Sequence, residues 1–167
     1  MSQTRRIIVA VVVLIVLVGL VLGIEALRRG ASQPSAGAEA TLTPGSIPIY
    51  LDGQLVAGFS PQDLETMDTV SFVDDEEGKT QEGWLLRDVL LLHLDRDQLQ
   101  PDTPIVVTST SREKLAELTW AEVEDPDNWV MFDLSGRGTL KLVSVLERLD
   151  VRDEWVQDVD LVEVGSW

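Results

Sequence analysis

Three stretches of this chain carry residue types that can do chemistry. Asp74-Asp75-Glu76-Glu77 places four carboxylates in succession, His93 is the single histidine, and Ser135-Gly136-Arg137-Gly138 sets an arginine between two glycines. Carboxylates are hard oxygen ligands suited to calcium. The acidic run lacks the spacing of an EF-hand loop, and consecutive side chains cannot all face one ion, so it reads as a solvated turn. His93 falls near the end of an apolar helical stretch, where a partial positive charge is favourable, and it reads as structural. A Ser-His-Asp triad through it is not accompanied by a G-x-S-x-G elbow. The glycine-arginine turn is of a kind that cradles phosphate. No P-loop or dinucleotide motif surrounds it, which favours a plain hairpin turn. The chain has no cysteine. That excludes disulfides, Cys-ligated zinc, iron–sulfur clusters, covalently attached c-type haem and a cysteine nucleophile, and leaves the compartment open.

The charge balance narrows the partners. The 167 residues carry a formal charge of −16, with 13 basic and 29 acidic side chains. Four of the basic residues are Arg5, Arg6, Arg28 and Arg29. Without them and Glu25, residues 31–167 hold 9 basic against 28 acidic side chains, or −19. Such a surface repels phosphate backbones and anionic headgroups, which argues against nucleic-acid binding and peripheral docking on anionic lipid.

The elements that must position these residues begin after an N-terminal appendage. Ile7 to Ile24 is an 18-residue run with no charged or strongly polar side chain. As a helix it is about 27 Å long, close to the hydrocarbon thickness of a bilayer. The run exceeds the apolar core of a cleavable signal peptide, and no small-x-small site follows directly, so residues 1–30 read as an uncleaved single-pass anchor. Arginine pairs on both flanks tie the positive-inside count. The very short N-terminal tail resembles a signal anchor, which sends the acidic domain to the extracytoplasmic side. Residues 31–46, rich in Ala, Ser, Gly, Pro and Thr, read as a flexible linker.

Residues 47–167 read as one α+β domain, mainly β with short helices. Asp52-Gly53 between apolar runs signals a hairpin, and Pro48 suggests an edge strand. Ser60-Pro61-Gln62-Asp63 starts a short helix with a capping serine, a first-turn proline and an acidic first turn. A strand over Thr69–Val73 enters the acidic turn, and Lys79–Trp84 returns. Leu85–Leu94 is then a helix, with Leu86, Val89, Leu90 and His93 on one face and Leu91 and Leu94 on the opposite side. Pro104–Thr110 is a strand by β-branched content. Lys114–Leu118 reads equally as strand or helix. Trp120–Glu124 is at most one helical turn, Trp129–Leu134 a buried strand, and Thr139–Val145 a strand whose pattern also suits a helix. Trp155–Val164 reads as one final strand whose alternation slips at Leu161-Val162, as a bulge or two-sided burial would cause.

In order, Leu51-Asp52-Gly53, Asp63-Leu64, Gly83-Trp84-Leu85-Leu86-Arg87-Asp88-Val89-Leu90, Ile105–Ser109, Gly138-Thr139-Leu140-Lys141-Leu142-Val143 and Trp155–Val164 resemble the successive motifs of the sulfite-oxidase-type molybdopterin-binding domain. The resemblance spans most of 47–167. It implies that fold and, in catalytic members, a molybdopterin-dependent oxidoreductase whose cysteine sulfur binds molybdenum. The position of that cysteine falls near Phe72, Val73 or Asp74, none of which is Cys. The pterin contacts that the resemblance implies reduce here to Arg87, Arg137 and Lys141.

The absent soft thiolate and the lack of another catalytic constellation point to a non-catalytic, membrane-tethered module. It is expected to serve as an accessory or scaffolding subunit of a membrane protein complex. Leu85–Leu94 and the tryptophans Trp120, Trp129 and Trp167 are candidate contact surfaces. The alternatives are a molybdopterin-dependent oxidoreductase of the sulfite-oxidase type and an extracytoplasmic small-ligand-binding domain.

Overall fold

A computed structural model of the chain describes residues 42–166. The expected anchor, most of the linker and Trp167 lie outside them. Among the described residues, no helix is long and apolar enough to cross a membrane.

The described residues build two five-stranded sheets and three short α-helices, an α+β domain that is mainly β. β1 (Ile47–Leu51) and β2 (Gln54–Phe59) form the expected hairpin. Its turn residues Asp52 and Gly53 both have positive φ, at 49° and 73°. That geometry matches the right-handed strand twist and is readily adopted by this pair. Ser60 then caps α1 (Pro61–Leu64), and Asp63 returns the bond by accepting from the Ser60 N–H at 2.8 Å. Two hydrogen bonds from Ser60 hold the Asp63 carboxyl below its usual range. β3 (Val70–Val73) and β4 (Thr80–Leu85) flank the acidic turn, and β4 runs straight into α2 (Leu86–Leu91).

β5 (Pro104–Ser109) pairs antiparallel with β6 (Lys114–Thr119), which decides the open reading of 114–118 in favour of strand. Thr119 caps α3 (Trp120–Glu124) in a reciprocal box with Glu122. β7 (Met131–Leu134) and β8 (Leu140–Val143) pair across the Ser135–Gly138 turn. The ambiguous Thr139–Val145 stretch is thus a strand, and it ends at Val143.

The last segment corrects the sequence reading. Trp155–Val164 is two strands in two sheets, β9 (Val156–Gln157) and β10 (Leu161–Val164). The first sheet has the order β2-β1-β10-β5-β6 and the second β3-β4-β7-β8-β9. Asp158, with φ 57°, turns the chain out of one sheet and into the other. No bulge lies at Leu161-Val162, where β10 pairs with β5 in unbroken register; the chain breaks three residues earlier, at this crossover.

Pro48 also departs from expectation, because β1 is an interior strand between β2 and β10. Its parallel pairing with β10 begins only at Ile49↔Val162, so the missing N–H of Pro48 falls at the strand end and breaks no ladder bond there.

One apolar core joins the two sheets. Ile49, Phe59, Ile105, Val107 and Val162 from the first meet Trp84, Phe132 and Leu142 from the second, with Leu86, Val89 and Leu90 of α2. The helix face differs from the one that the sequence spacing gives. Leu94 is buried, His93 is exposed, and Leu91 and Leu92 are left at the surface. Trp120 is fully buried, which removes it as a contact residue. Its indole carries Arg96 5.3 Å from the ring centroid. The other face of the second sheet has its own small cluster of Leu85, Met131, Val143 and Trp155.

Gly83 is required where β4 meets β7. An ideal Cβ there would lie 1.8 Å from the Phe132 carbonyl oxygen and 2.9 Å from Asp133 Cα. Any side chain would push the two backbones apart.

Candidate functional site

The second sheet sets out two clusters of charge. The first is at the end of β3, where the resemblance would place a metal-binding thiolate. Asp74 occupies it. Its N–H donates to the Lys79 carbonyl at 2.8 Å, closing the β3–β4 turn. Oδ1 accepts from the Glu76 N–H at 2.9 Å, an Asx turn. The residue is only 1 % exposed, and Oδ2 has no hydrogen-bond partner among the described residues. Asp75, Glu76 and Glu77 are exposed. The acidic run is therefore not uniformly solvated, since its first carboxylate is structural and sheltered. A cavity of about 330 Å³ opens beside it, lined by Phe72, Asp74, Asp75, Glu76, Ser144 and Asp150 among others. Among the described residues, no three His, Cys, Asp or Glu side chains converge to hold a metal ion.

The second cluster is cationic. A cleft of about 490 Å³ lies over the polar half of the outer face of the second sheet. Strand register explains its lining. Gly83 pairs with Asp133, Asp133 with Lys141, and Lys141 with Gln157, which puts these residues in one row across β4, β7, β8 and β9. Side chains two apart on a strand share a face, so Gln81 joins the row. Lys141 Nζ donates to Gln81 Oε1 at 2.8 Å, pairs with Asp133 at 3.0 Å, and lies 4.8 Å from the centroid of the Trp155 ring. The Ser135–Gly138 turn brings in Arg137. The β3–β4 turn contributes Lys79, and Arg152 reaches in from the segment before β9. Glu77 is shared between Lys79 at 2.7 Å and Arg152 at 3.2 Å. Hydrogen bonds from these two cations hold its carboxyl below the usual carboxylate range.

Of the three residues that the resemblance singles out, Arg137 and Lys141 come together in this cleft. Arg87 does not. It sits on α2, where its Nη1 donates to the Glu124 carbonyl at 3.1 Å and ties α2 to the end of α3. Lys79 and Arg152 were not legible as site residues. They are 73 positions apart in the sequence, and only the meeting of the β3–β4 turn with the segment before β9 brings them to one carboxylate.

Beside the cleft, Asp158 organises the crossover from β9 to β10. Its carboxylate accepts from Thr139 Oγ1 at 2.7 Å and from Arg112 Nε at 2.7 Å, with Arg137 Nη2 at 3.9 Å. The Thr139 and Arg112 hydrogen bonds lower its pKa.

His93 lies at the far end of α2, its ring centroid 6.4 Å from that of Phe59. Partial burial beside this ring lowers its pKa, and the nearby Asp63 charge opposes the shift. No side-chain hydrogen bond links it to a serine or a carboxylate among the described residues, so the structure assembles no triad there. Trp129 is half-buried and packs on Phe72 at 6.2 Å between centroids.

A comparison with protein-family models finds none that matches, and a comparison with curated proteins finds no match either.

Proposed function

We propose that this chain is a membrane-tethered, non-catalytic module of the molybdopterin-binding-domain type that works by contact, as an accessory or scaffolding subunit of a membrane protein complex. The apolar run of residues 7–24 supplies the tether.

The observation that carries the non-catalytic half is Asp74. It is one of the three positions, with Phe72 and Val73, near which the resemblance places a soft, electron-donating thiolate, and it lines a cavity whose other charged groups, Asp75, Glu76 and Asp150, are also acidic. A carboxylate is a hard ligand, and this field opposes an anionic dithiolene or pterin phosphate. The contacts carried over from the resemblance do not converge on that cavity, since Arg137 and Lys141 line the other cleft and Arg87 braces two helices. The residues present do not fit molybdopterin.

The contact half is supported by α2. Its buried face fixes it to the core, while Leu92, 57 % exposed, and Leu91 beside it present apolar area to solvent. Purification from native membranes in mild detergent tests the proposal. Companion subunits are expected to co-purify and to be lost from the Leu91→Asp, Leu92→Asp double variant, whose substitutions are exposed and leave the core intact. A protein that emerges alone and monomeric overturns the contact reading. Stoichiometric molybdenum in the purified protein overturns the non-catalytic one.

A further inference from the structure

We propose that the cleft between Lys79, Arg137, Lys141 and Arg152 binds a small soluble dianion bearing oxyanion groups, of the dicarboxylate or phosphomonoester class. This goes beyond the accessory-subunit reading and does not depend on it.

The first argument is the distribution of charge. Residues 31–167 hold 9 basic side chains against 28 acidic ones, yet four of those nine line this one cleft. Only two carboxylates, Glu77 and Asp133, line it with them. The cleft carries a local charge of about +2, while residues 31–167 as a whole carry −19. A concave, positive site within a negative surface focuses the field and draws small anions while repelling large polyanions. The same contrast separates a soluble dianion from a lipid headgroup, because an anionic bilayer would face the whole acidic domain.

The second argument is unspent donor capacity. Arginine offers five N–H donors in a planar fork that matches carboxylate and phosphate oxygens. Arg137 makes no side-chain hydrogen bond among the described residues; its nearest carboxylate, Asp158, is 3.9 Å away and engaged by Thr139 and Arg112. Arg152 spends one side-chain donor on Glu77. Both side chains are more than half exposed, at 65 % and 54 %.

The third argument is a fixed floor. Lys141 is only 18 % exposed, held by Asp133 and Gln81 over the buried Trp155 ring. It is a positioned charge at the base of the cleft, with two exposed arginines at the rim. The volume lies in the range of small-molecule sites.

Titration of the full-length chain in phosphatidylcholine nanodiscs tests this, with inorganic phosphate and succinate as probes at pH 8. Saturable binding of at least one probe is expected, with a Kd below about 1 mM. Amide shifts should centre on Lys79, Ser135–Gly138, Lys141 and Arg152. Arg137→Gln with Arg152→Gln should weaken binding at least about tenfold, because two charge-assisted hydrogen-bond donors are lost. Arg87→Gln, outside the cleft, should leave it unchanged. Absence of saturation by either probe up to about 10 mM overturns the proposal. So do shifts centred elsewhere, an equal affinity in the double variant, or stronger retention on phosphatidic-acid-containing vesicles than response to either free probe. The wild-type shift map stands even where a variant folds poorly. The readout is independent of co-purifying subunits, so failure here leaves the accessory reading standing, and the reverse holds too.

Discussion

Asp158 is the residue on which the joining of the two sheets can be tested most sharply. It sits between β9 and β10 with φ 57° and holds Thr139 and Arg112 at 2.7 Å each. Asp158→Asn keeps a residue type that tolerates the left-handed region, but it removes the charge and puts an amide donor in place of one of the two acceptor oxygens, so the bond from Arg112 is lost while the remaining oxygen still accepts from Thr139. A hydrogen bond to a charged group contributes about 1.5–3 kcal/mol, and the partial exposure of Arg112 discounts that, so a loss of about 1–1.5 kcal/mol is expected. Asp158→Ala also loses the bond from Thr139 and places an ordinary side chain at positive φ, each worth about 1 kcal/mol, for a total of about 3 kcal/mol. Asp158→Gly loses the same bonds without the left-handed strain and should fall between the two.

The assay is urea unfolding of the full chain in mild detergent, followed by tryptophan fluorescence. All five tryptophans lie at position 84 or beyond, so the signal reports the β domain. The pH dependence has a definite sign. The folded pKa of Asp158 is depressed below its ordinary 3.8, so its contribution is fully present above that value and is lost as pH falls through the lower folded value. The gap between wild type and Asp158→Asn should be constant from neutral pH down to about 5 and close below 3.8. The reasoning is refuted if Asp158→Asn matches wild type at neutral pH, or if the alanine and glycine variants unfold at the same urea concentration.

Gly83→Ala should cost more than any surface substitution, because the new Cβ would meet the backbone of Phe132 at 1.8 Å and no side-chain rotation relieves it. A loss above the usual 1–3 kcal/mol of overpacking, about 4 kcal/mol, or failure to fold, is expected in the same unfolding assay. The His93 imidazole should titrate below its ordinary 6.5 by NMR, since partial burial beside Phe59 disfavours its charged form. Stability from this group is then present above 6.5 and lost as pH falls through the folded value, and His93→Gln should flatten that part of the stability profile.

Much of the local structure was legible in the sequence because it rests on interactions between residues a few positions apart. Asp52-Gly53 can take two positive φ angles, and a hairpin is the result. Ser60 and Asp63 satisfy each other's donors over three residues and start a helix. The change of period at Leu85 marks the point where β4 becomes α2. The α+β class and the paucity of helix follow from such signals alone.

The tertiary structure decided which sheet each strand joins, and so which side chains meet. Nothing local tells a bulge from a crossover, and the break at Asp158 became clear only when β9 was paired with β8 and β10 with β5. Pro48 sits in an interior strand because β10 arrives from the far end of the sequence and begins pairing one residue later. Trp120 could be exposed or central by pattern, and packing made it core. The cationic cleft has the same origin. Arg137 and Lys141 share a hairpin and could be placed together by sequence. Lys79 and Arg152 join them, and Arg87 does not, because register between distant strands sets the positions of charges across a sheet, whereas spacing along the chain sets them only within one strand.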